Sequence, residues 1–238
     1  MTDAPPAPEQ NHLLAALPDQ AKTRLFPWLK LVELKLGDVI YASGQPIDFV
    51  YFPTNCIISL LYVMLDGASA EISVVGNEGL VGVTVFMGGE STPSRAIVQS
   101  RGYAYRLPAQ DLRVEFNDHA EVRVLMLRYT QALITQMSQT AVCNRHHTID
   151  QQLCRWLLLS LDRLQDNRLT MTQELIANML GVRREGVTEA AGKLQKLGVI
   201  EYHRGHITVI DRPRLETLCC ECYAVVKRET DRLASAPR

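Results

Sequence analysis

Residues 169–188 read LTMTQELIANMLGVRREGVT, and this stretch decides the fold of the C-terminal part of the chain. Thr172 before a Gln-Glu pair is typical of a capped helix start. The small Ala177 allows a second helix to cross closely, and Gly181 can take the left-handed conformation that ends a helix in a tight turn. The predicted buried face comprises Leu175, Ile176, Met179 and Leu180. The pattern therefore predicts a helix-turn-helix.

The second helix of this motif is predicted from about residue 183 to residue 196, with Val187, Ala190, Ala191 and Leu194 facing inward. In a helix-turn-helix, the first residues of the second helix contact base edges in the major groove. Arg184 can place two donors on guanine, and Glu185 can accept a hydrogen bond from cytosine. An adjacent Arg-Glu pair also occurs on solvated helix faces, but the complete motif favours binding to double-stranded DNA.

Residues 199–210 form two short alternating segments around a Gly-containing turn, which predicts a wing after the second helix. Its tip, residues 203–206, would bring positive charge and hydrogen-bond donors to a phosphate backbone. The two histidines of the tip also suggest a metal site, but no carboxylate or thiol lies nearby in sequence, and no metal site is predicted. The predicted DNA-binding residues are Thr172, Gln173, Arg183, Arg184, Glu185, Thr188, Glu189, His203 and Arg204.

The N-terminal half has a different pattern. Residues 1–10 are predicted to be a flexible leader, and the leucines of residues 13–29 recur at helical spacing. Short alternating or β-branched runs separated by turn signals then predict a sandwich or barrel. The predicted strands are residues 32–36, 39–41, 49–52, 56–64, 70–75, 96–99 and 103–107.

A long helix is predicted to join the two halves. Residues 108–111 open a short helical segment, and Asp118 is expected to cap a helix that reaches about Arg145. The apolar stripe of this helix is Val122, Met126, Tyr129, Leu133, Met137 and Ala141. Because the stripe is narrow, a coiled-coil-like seam between two copies of the chain is favoured over packing within one copy. A homodimer is therefore expected. A further amphipathic helix follows over residues 148–165.

Composition limits the class of protein. The chain has 238 residues, 47% of them hydrophobic and 21% charged, with a net charge of −1. These values exclude wholesale disorder and suit two domains. No apolar run is long enough to cross a bilayer, and the N-terminus lacks the features of a signal peptide, so a cytoplasmic location without membrane binding is expected. No motif pairs a nucleophile with a base or cradles a phosphate, so no catalytic residue, enzyme activity or cofactor is predicted.

Six cysteines stand without a regular framework and are expected to be reduced. Cys219, Cys220 and Cys222 invite a metal or redox interpretation. Their spacing is not C-x-x-C, however, and they continue an apolar pattern, so a buried helix face is favoured, and a redox role stays open. Residues 144–147 lie at the hinge after the long helix. They either couple the two halves or cap the helix C-terminus, and both alternatives stay open.

The chain resembles the Crp/Fnr family of transcription regulators. The residues that carry the resemblance are Thr172-Gln173-Glu174, Ala177, Leu180-Gly181, Arg184-Glu185, Val187, Leu194, Leu197-Gly198 and Ile200. The resemblance implies an α+β fold: a β-barrel or jelly-roll cyclic-nucleotide-binding-like domain at residues 11–117, a dimerisation helix at 118–147, and a winged helix-turn-helix at 148–238. It also implies base contacts by Arg184 and Glu185, phosphate contacts by Gln173 and His203, palindromic sites, and RNA polymerase as a candidate partner.

The sequence departs from the family at two places. Glu189 stands where many members have a second base-contacting arginine, so a different operator is expected. In the effector pocket, which the resemblance places at Gly82, Val83, Ser94 and Arg95, Val83 replaces the ribose-binding glutamate and the phosphate-binding arginine pair is missing. Because a buried phosphate needs a paired cation, cyclic AMP is not expected to bind, and the effector is unknown.

The family includes members that carry an iron-sulfur centre and members that carry a haem. An iron-sulfur centre is not expected, because the first cysteine is Cys56 and the family's cluster lies near the N-terminus, whereas a haem stays open. The alternative function is a ligand- or redox-sensing adaptor that acts through protein contacts.

Overall fold

The computed structural model describes residues 5–164 and 166–234. The predicted leader falls partly outside these ranges. Its described part is packed rather than free, because residues Pro8–Gln10 form a 3-10 helix and the Tyr105 hydroxyl donates to the Pro6 carbonyl at 2.6 Å. Two short helices follow, α1 (His12–Ala15) and α2 (Asp19–Leu25).

Seven antiparallel strands build the N-terminal domain as two sheets around one core. One sheet has the order β1-β7-β3 and the other β2-β6-β4-β5. The strands are β1 (Lys30–Leu34), β2 (Val39–Tyr41), β3 (Phe49–Pro53), β4 (Ile57–Val63), β5 (Ser69–Val75), β6 (Arg95–Ser100) and β7 (Gly102–Pro108). Each falls within a few residues of its predicted position. Alternating residues such as Val50, Phe52 and Leu107 fill the space between the sheets.

Two helices lead out of this domain, α3 (Ala109–Asp118) and α4 (Ala120–His146). The prediction that Asp118 caps the long helix was wrong. Asp118 is the last residue of α3, and the N-cap of α4 is His119, whose extended backbone breaks the helix and whose side chain makes no capping hydrogen bond.

The prediction of which face of α4 forms a seam between two copies was also wrong. Val122, Met126, Tyr129 and Leu133 are buried in the core of the same chain, Met137 is partly buried against that core, and Ala141 is exposed. The stripe therefore packs within one copy of the chain. The face of α4 that this core leaves uncovered includes Ala141 and carries exposed apolar residues at alternating spacings of three and four: Val124, Leu127, Ile134 and Ala141, with Gln131 and Ser138 between them.

The C-terminal part is a winged helix. Helix α5 (Ile149–Leu161) begins at a capping box made by Thr148 and Gln151. The remaining elements are β8 (Arg168–Thr170), α6 (Gln173–Leu180), α7 (Arg184–Lys196), β9 (Ile200–His203), β10 (His206–Val209), α8 (Arg212–Leu218) and α9 (Glu221–Ala234), with β8-β10-β9 forming one sheet. Strand β8 was not predicted. The α+β architecture of β-rich domain, long helix and winged helix is confirmed.

The continuous apolar helix face predicted around Cys219–Cys222 does not exist as such. Helix α8 ends at Leu218, Cys219 and Cys220 form the connection, and α9 starts at Glu221. Cys220 and Cys222 are buried, as expected. They pack in one cluster with Cys143 and not along a single continuous helix face.

The two halves share an interface. Ile57, Leu61 and Val74 of the N-terminal sheet belong to the same buried cluster as α5 and α6. Polar contacts cross the same interface, with Gln99 Nε2 donating to Ser160 Oγ at 3.1 Å and Arg163 pairing with Glu78 at 2.7 Å. Within the described ranges, no helix is both long and apolar enough to cross a membrane.

Candidate nucleic-acid interface

The start of the helix-turn-helix is fixed by the side-chain contacts of two threonines. Thr172 Oγ1 accepts from the Leu175 backbone N–H at 3.3 Å and so caps α6 as predicted. The Thr188 hydroxyl lies 2.7 Å from Gln173 Oε1 and 3.0 Å from the carbonyl oxygen of Arg184. These contacts hold the first residues of α6 against the first turn of α7. The two helices therefore present their N-terminal ends on one side of the molecule.

The turn between the helices depends on Gly181. Its φ is +66°, in the left-handed region, and the following Val182 N–H donates to the Ala177 carbonyl at 3.0 Å. An added Cβ would lie 3.2 Å from the Cβ of Ala70 in the N-terminal sheet. Glycine is required here both for its backbone conformation and for this close approach.

Helix α7 carries the predicted base-contacting residues on its exposed side. Val187, Ala190, Ala191 and Leu194 are buried, as predicted. The exposed set at its start is Arg183, the N-cap residue, with Arg184, Glu185, Thr188 and Glu189. Glu189 is engaged on the protein itself, because it pairs with Lys193 at 3.0 Å, and Lys193 also contacts Asp150 at 3.2 Å.

The wing is a tight hairpin held next to the start of α6. Arg204 and Gly205 both have positive φ, as a two-residue turn with the twist of the strands requires. The Met171 N–H donates to the Gly205 carbonyl at 2.6 Å, and the Tyr202 hydroxyl donates to the Met171 carbonyl at 3.0 Å. These bonds fix the wing relative to the helix-turn-helix. His203 and Arg204 are exposed at its tip.

An open cleft lies between the wing and the two helices. Its lining residues are Thr172, Gln173, Arg184, Tyr202, Arg204 and Gly205. Two of these residues are charged, and both are arginines. The structure thus brings together four predicted residues from both helices and the wing. Tyr202 was missed, because an aromatic residue in a short alternating strand gives the same signal as a core residue.

The predicted effector-pocket residues are not grouped in the same way. The backbone of Gly82 is in the left-handed region next to Val50, and Val83 starts a 3-10 helix packed on the core. The Ser94 hydroxyl is buried and lies 3.0 Å from the hydroxyl of Thr92. Arg95 is paired with Leu61, whose side chain packs with the C-terminal domain, whereas the next residue faces the interior of the sheets. Arg95 therefore points to the side of β6 that faces the C-terminal domain, away from the interior of the two sheets.

Two family profiles match the chain. The profile of the cyclic nucleotide-binding domain matches residues 31–119, and the profile of the Crp-like helix-turn-helix domain matches residues 151–218. A relative named global nitrogen regulator, from Nostoc sp., is 23% identical over 211 residues, which cover 84% of this chain and 93% of the relative.

Solved structures share the fold. A putative transcriptional regulator of the Crp/Fnr family from Eubacterium rectale superposes with a TM-score of 0.69 at 19% identity, covering 88% of this chain and 98% of the other. FixK2 from Bradyrhizobium japonicum superposes with a TM-score of 0.67 at 16% identity, covering 81% of this chain and 98% of the other.

Proposed function

We propose that this chain, a transcription regulator of the Crp/Fnr type with a cyclic nucleotide-binding domain and a Crp-like helix-turn-helix domain, binds two-fold-symmetric duplex DNA as a homodimer. The observation that carries the proposal is the cleft that is lined by Arg184 of the second helix, Arg204 of the wing and the capped start of α6.

The two sides of this cleft have different tasks in the proposal. Helix α7 enters the major groove, where Arg184 donates two hydrogen bonds to guanine and Glu185 accepts one from cytosine. Thr172 and Gln173 at the N-terminus of α6, and His203 and Arg204 on the wing, contact phosphates on either side of the groove. Arg183 and Thr188 complete the exposed surface of the helix.

Glu189 changes the base sequence that the operator is expected to have. Its carboxylate accepts hydrogen bonds only, and its contact with Lys193 holds it along the helix surface. It therefore cannot donate to guanine as an arginine at this position would. We expect a half-site that lacks the guanine such an arginine would contact.

The homodimer is formed in this proposal by the exposed face of α4. Val124, Leu127, Ile134 and Ala141 follow the spacing of a coiled-coil seam, and Leu127 and Ile134 are about half exposed in one copy of the chain, at 49% and 53%. Pairing two copies along this face would bury these side chains. It would also set two copies of α7 at a fixed spacing, as half-sites one helical turn apart require.

Cyclic AMP is not the expected effector. Its phosphate needs a cation inside the pocket, and Arg95 lies on the face of β6 that is turned toward the C-terminal domain. A calorimetric titration with cyclic AMP should show no binding in the micromolar range, and micromolar binding would contradict this part of the proposal.

Selection from a random duplex pool by the purified full-length protein tests the proposal. The expected result is enrichment of a two-fold-symmetric site. It should contain a guanine that is selected only when Arg184 is present. Enrichment of an asymmetric site would contradict the homodimer. Salt-dependent binding to all duplexes without enrichment would contradict base recognition and favour the alternative of an adaptor that acts through protein contacts.

A further inference from the structure

Four side chains that play no part in the DNA interface meet at the junction of α4, α8 and α9. Cys143 lies in the last turn of α4, and His147 is the first residue after that helix. Cys220 lies in the connection between α8 and α9, and Cys222 lies in the first turn of α9. The three sulfurs and one ring nitrogen all lie within 4.8 Å of one another.

The separations match a tetrahedral metal site. The Sγ atoms of Cys143 and Cys220 are 3.6 Å apart, and Cys222 Sγ is 3.6 Å from His147 Nδ1. Around a tetrahedral Zn²⁺ ion with bond lengths of about 2.3 Å to sulfur and about 2.0 Å to nitrogen, two sulfurs lie about 3.8 Å apart and a sulfur and a nitrogen about 3.5 Å apart. These two separations are close to the expected values, and all four ligand atoms lie within 4.8 Å of one another, so small movements would bring them to bonding positions.

His147 is oriented as metal-binding histidines usually are. Its Nδ1 faces the sulfurs, and its Nε2 lies 3.4 Å from the carboxylate of Glu221. A carboxylate on the second ring nitrogen fixes the tautomer and the ring orientation, and it makes the first nitrogen a better ligand. The side chain of Glu221 is exposed, so burial does not fix its position next to the His147 ring.

Burial and charge also suit a cation at this place. Cys143, Cys220 and Cys222 are buried, whereas the ring of His147 is partly exposed and leaves a path from solvent. Three thiolates around a divalent cation leave one negative charge, and the buried guanidinium of Arg155 lies close enough to interact with Cys143 and Cys222. The site would therefore be close to neutral overall.

We propose that Cys143, Cys220, Cys222 and His147 form a binding site for a thiophilic divalent cation of the zinc class. The site joins the end of the long helix to the last helix of the winged-helix part, across a sequence separation of more than seventy residues. Its existence does not depend on DNA binding, so each proposal can fail without the other.

The test is metal binding by the reduced, metal-free full-length protein. We expect one Zn²⁺ per chain in competition with a chromophoric chelator. Co²⁺ should give a sulfur-to-metal charge-transfer band and the intense visible absorption of a tetrahedral site. Cys220→Ser and Cys222→Ser should abolish both signals. Cys56→Ser, which removes a buried thiol in the N-terminal domain, is the matched control and should bind like the original protein.

A second variant avoids the question of folding. Glu221→Gln changes an exposed side chain outside the ligand set and should weaken Zn²⁺ binding by roughly 10- to 100-fold, as loss of an outer partner of a metal-bound histidine does. Three results would overturn the proposal: less than one ion per chain after full reduction, a Co²⁺ spectrum typical of six oxygen ligands, or equal loss of binding in Cys56→Ser. Any of them would leave the cluster as packed thiols.

Discussion

Arg184 and Arg204 lie in one cleft, but they are expected to contribute to DNA binding in different ways. Arg184→Ala should remove discrimination at one base pair, worth about 1–3 kcal/mol, because the two donors to guanine are lost. Arg204→Ala should weaken binding to all duplexes and lower the salt dependence by about one counterion. Fluorescence anisotropy on matched and mismatched duplexes at several salt concentrations measures both. The assignment of helix and wing would be wrong if the two variants behaved alike.

Glu71 is a second residue with a measurable consequence. It lies in β5 with its side chain buried, and this burial raises its pKa from the usual 4.5 to about 7. Between these pH values the folded protein keeps a proton that the unfolded chain has lost. Stability should therefore fall as pH rises from about 4.5 to about 7, by roughly 3 kcal/mol at most.

The substitution Glu71→Gln removes this titration. The variant should melt at a higher temperature than the original protein at pH 8, and the difference should shrink or vanish at pH 5. Glu174→Gln, which changes an exposed carboxylate on α6, is the control. A melting-temperature difference that is the same at both pH values would show that Glu71 is not the group responsible.

The positions that could be predicted from the sequence are those of residues whose surroundings are set by near neighbours in the chain. Arg184 could be placed on the exposed face of α7 because helix, turn and cap lie within twenty residues of it. Cys143 and Cys220 could not be brought together in the same way, since 77 residues separate them and only the packing of α9 along α4 makes them neighbours.

Two glycines test the helix-turn-helix at the scale of its elements. Gly181→Ala should destabilise the protein by about 1–2 kcal/mol, because its φ of +66° is unfavourable for alanine and the new Cβ would press on Ala70. Gly192→Ala lies inside α7 with no atom within 4 Å of the new Cβ, so it should stabilise the helix by about 0.5–1 kcal/mol. Shifts of opposite sign in the melting temperature are expected. Shifts of the same sign would mean that the turn is not built as described.

The long helix shows where periodicity stops being informative. Its length and its apolar stripe were predicted, but the stripe packs on the core of the same chain. Periodicity identifies which residues share a face, and it does not say whether a sheet of the same chain or a second copy covers that face. Strand β8 was missed for a related reason, because three residues carry no pattern and become a strand only by pairing with β10.

At the scale of the whole molecule, the exposed face of α4 predicts the oligomeric state. Leu127→Glu combined with Ile134→Glu should give a monomer, because paired carboxylates would face each other across the seam. Val114→Glu changes a similarly exposed apolar residue on α3 and is the matched control, which should remain a dimer. Sedimentation velocity distinguishes the two. A dimer that survives the double substitution would place the interface elsewhere.

The winged helix also contacts the N-terminal sheet of its own chain. The turn at Gly181 touches Ala70, and the buried cluster of the C-terminal half includes Ile57 and Leu61 of β4. A movement of that sheet would therefore displace the turn that positions α7. The division into residues 11–117, 118–147 and 148–238 remains a prediction, with this interface as the place where the first and last parts meet.

Titration of one selected duplex, intact and with one half-site scrambled, tests the central claim most directly. If two copies of α7 contact two half-sites, the intact duplex should bind two chains, and scrambling three base pairs of one half should cost at least about 3 kcal/mol, or roughly 100-fold in affinity. The same affinity and stoichiometry for both duplexes would contradict the account, because a single winged helix would then be sufficient for binding.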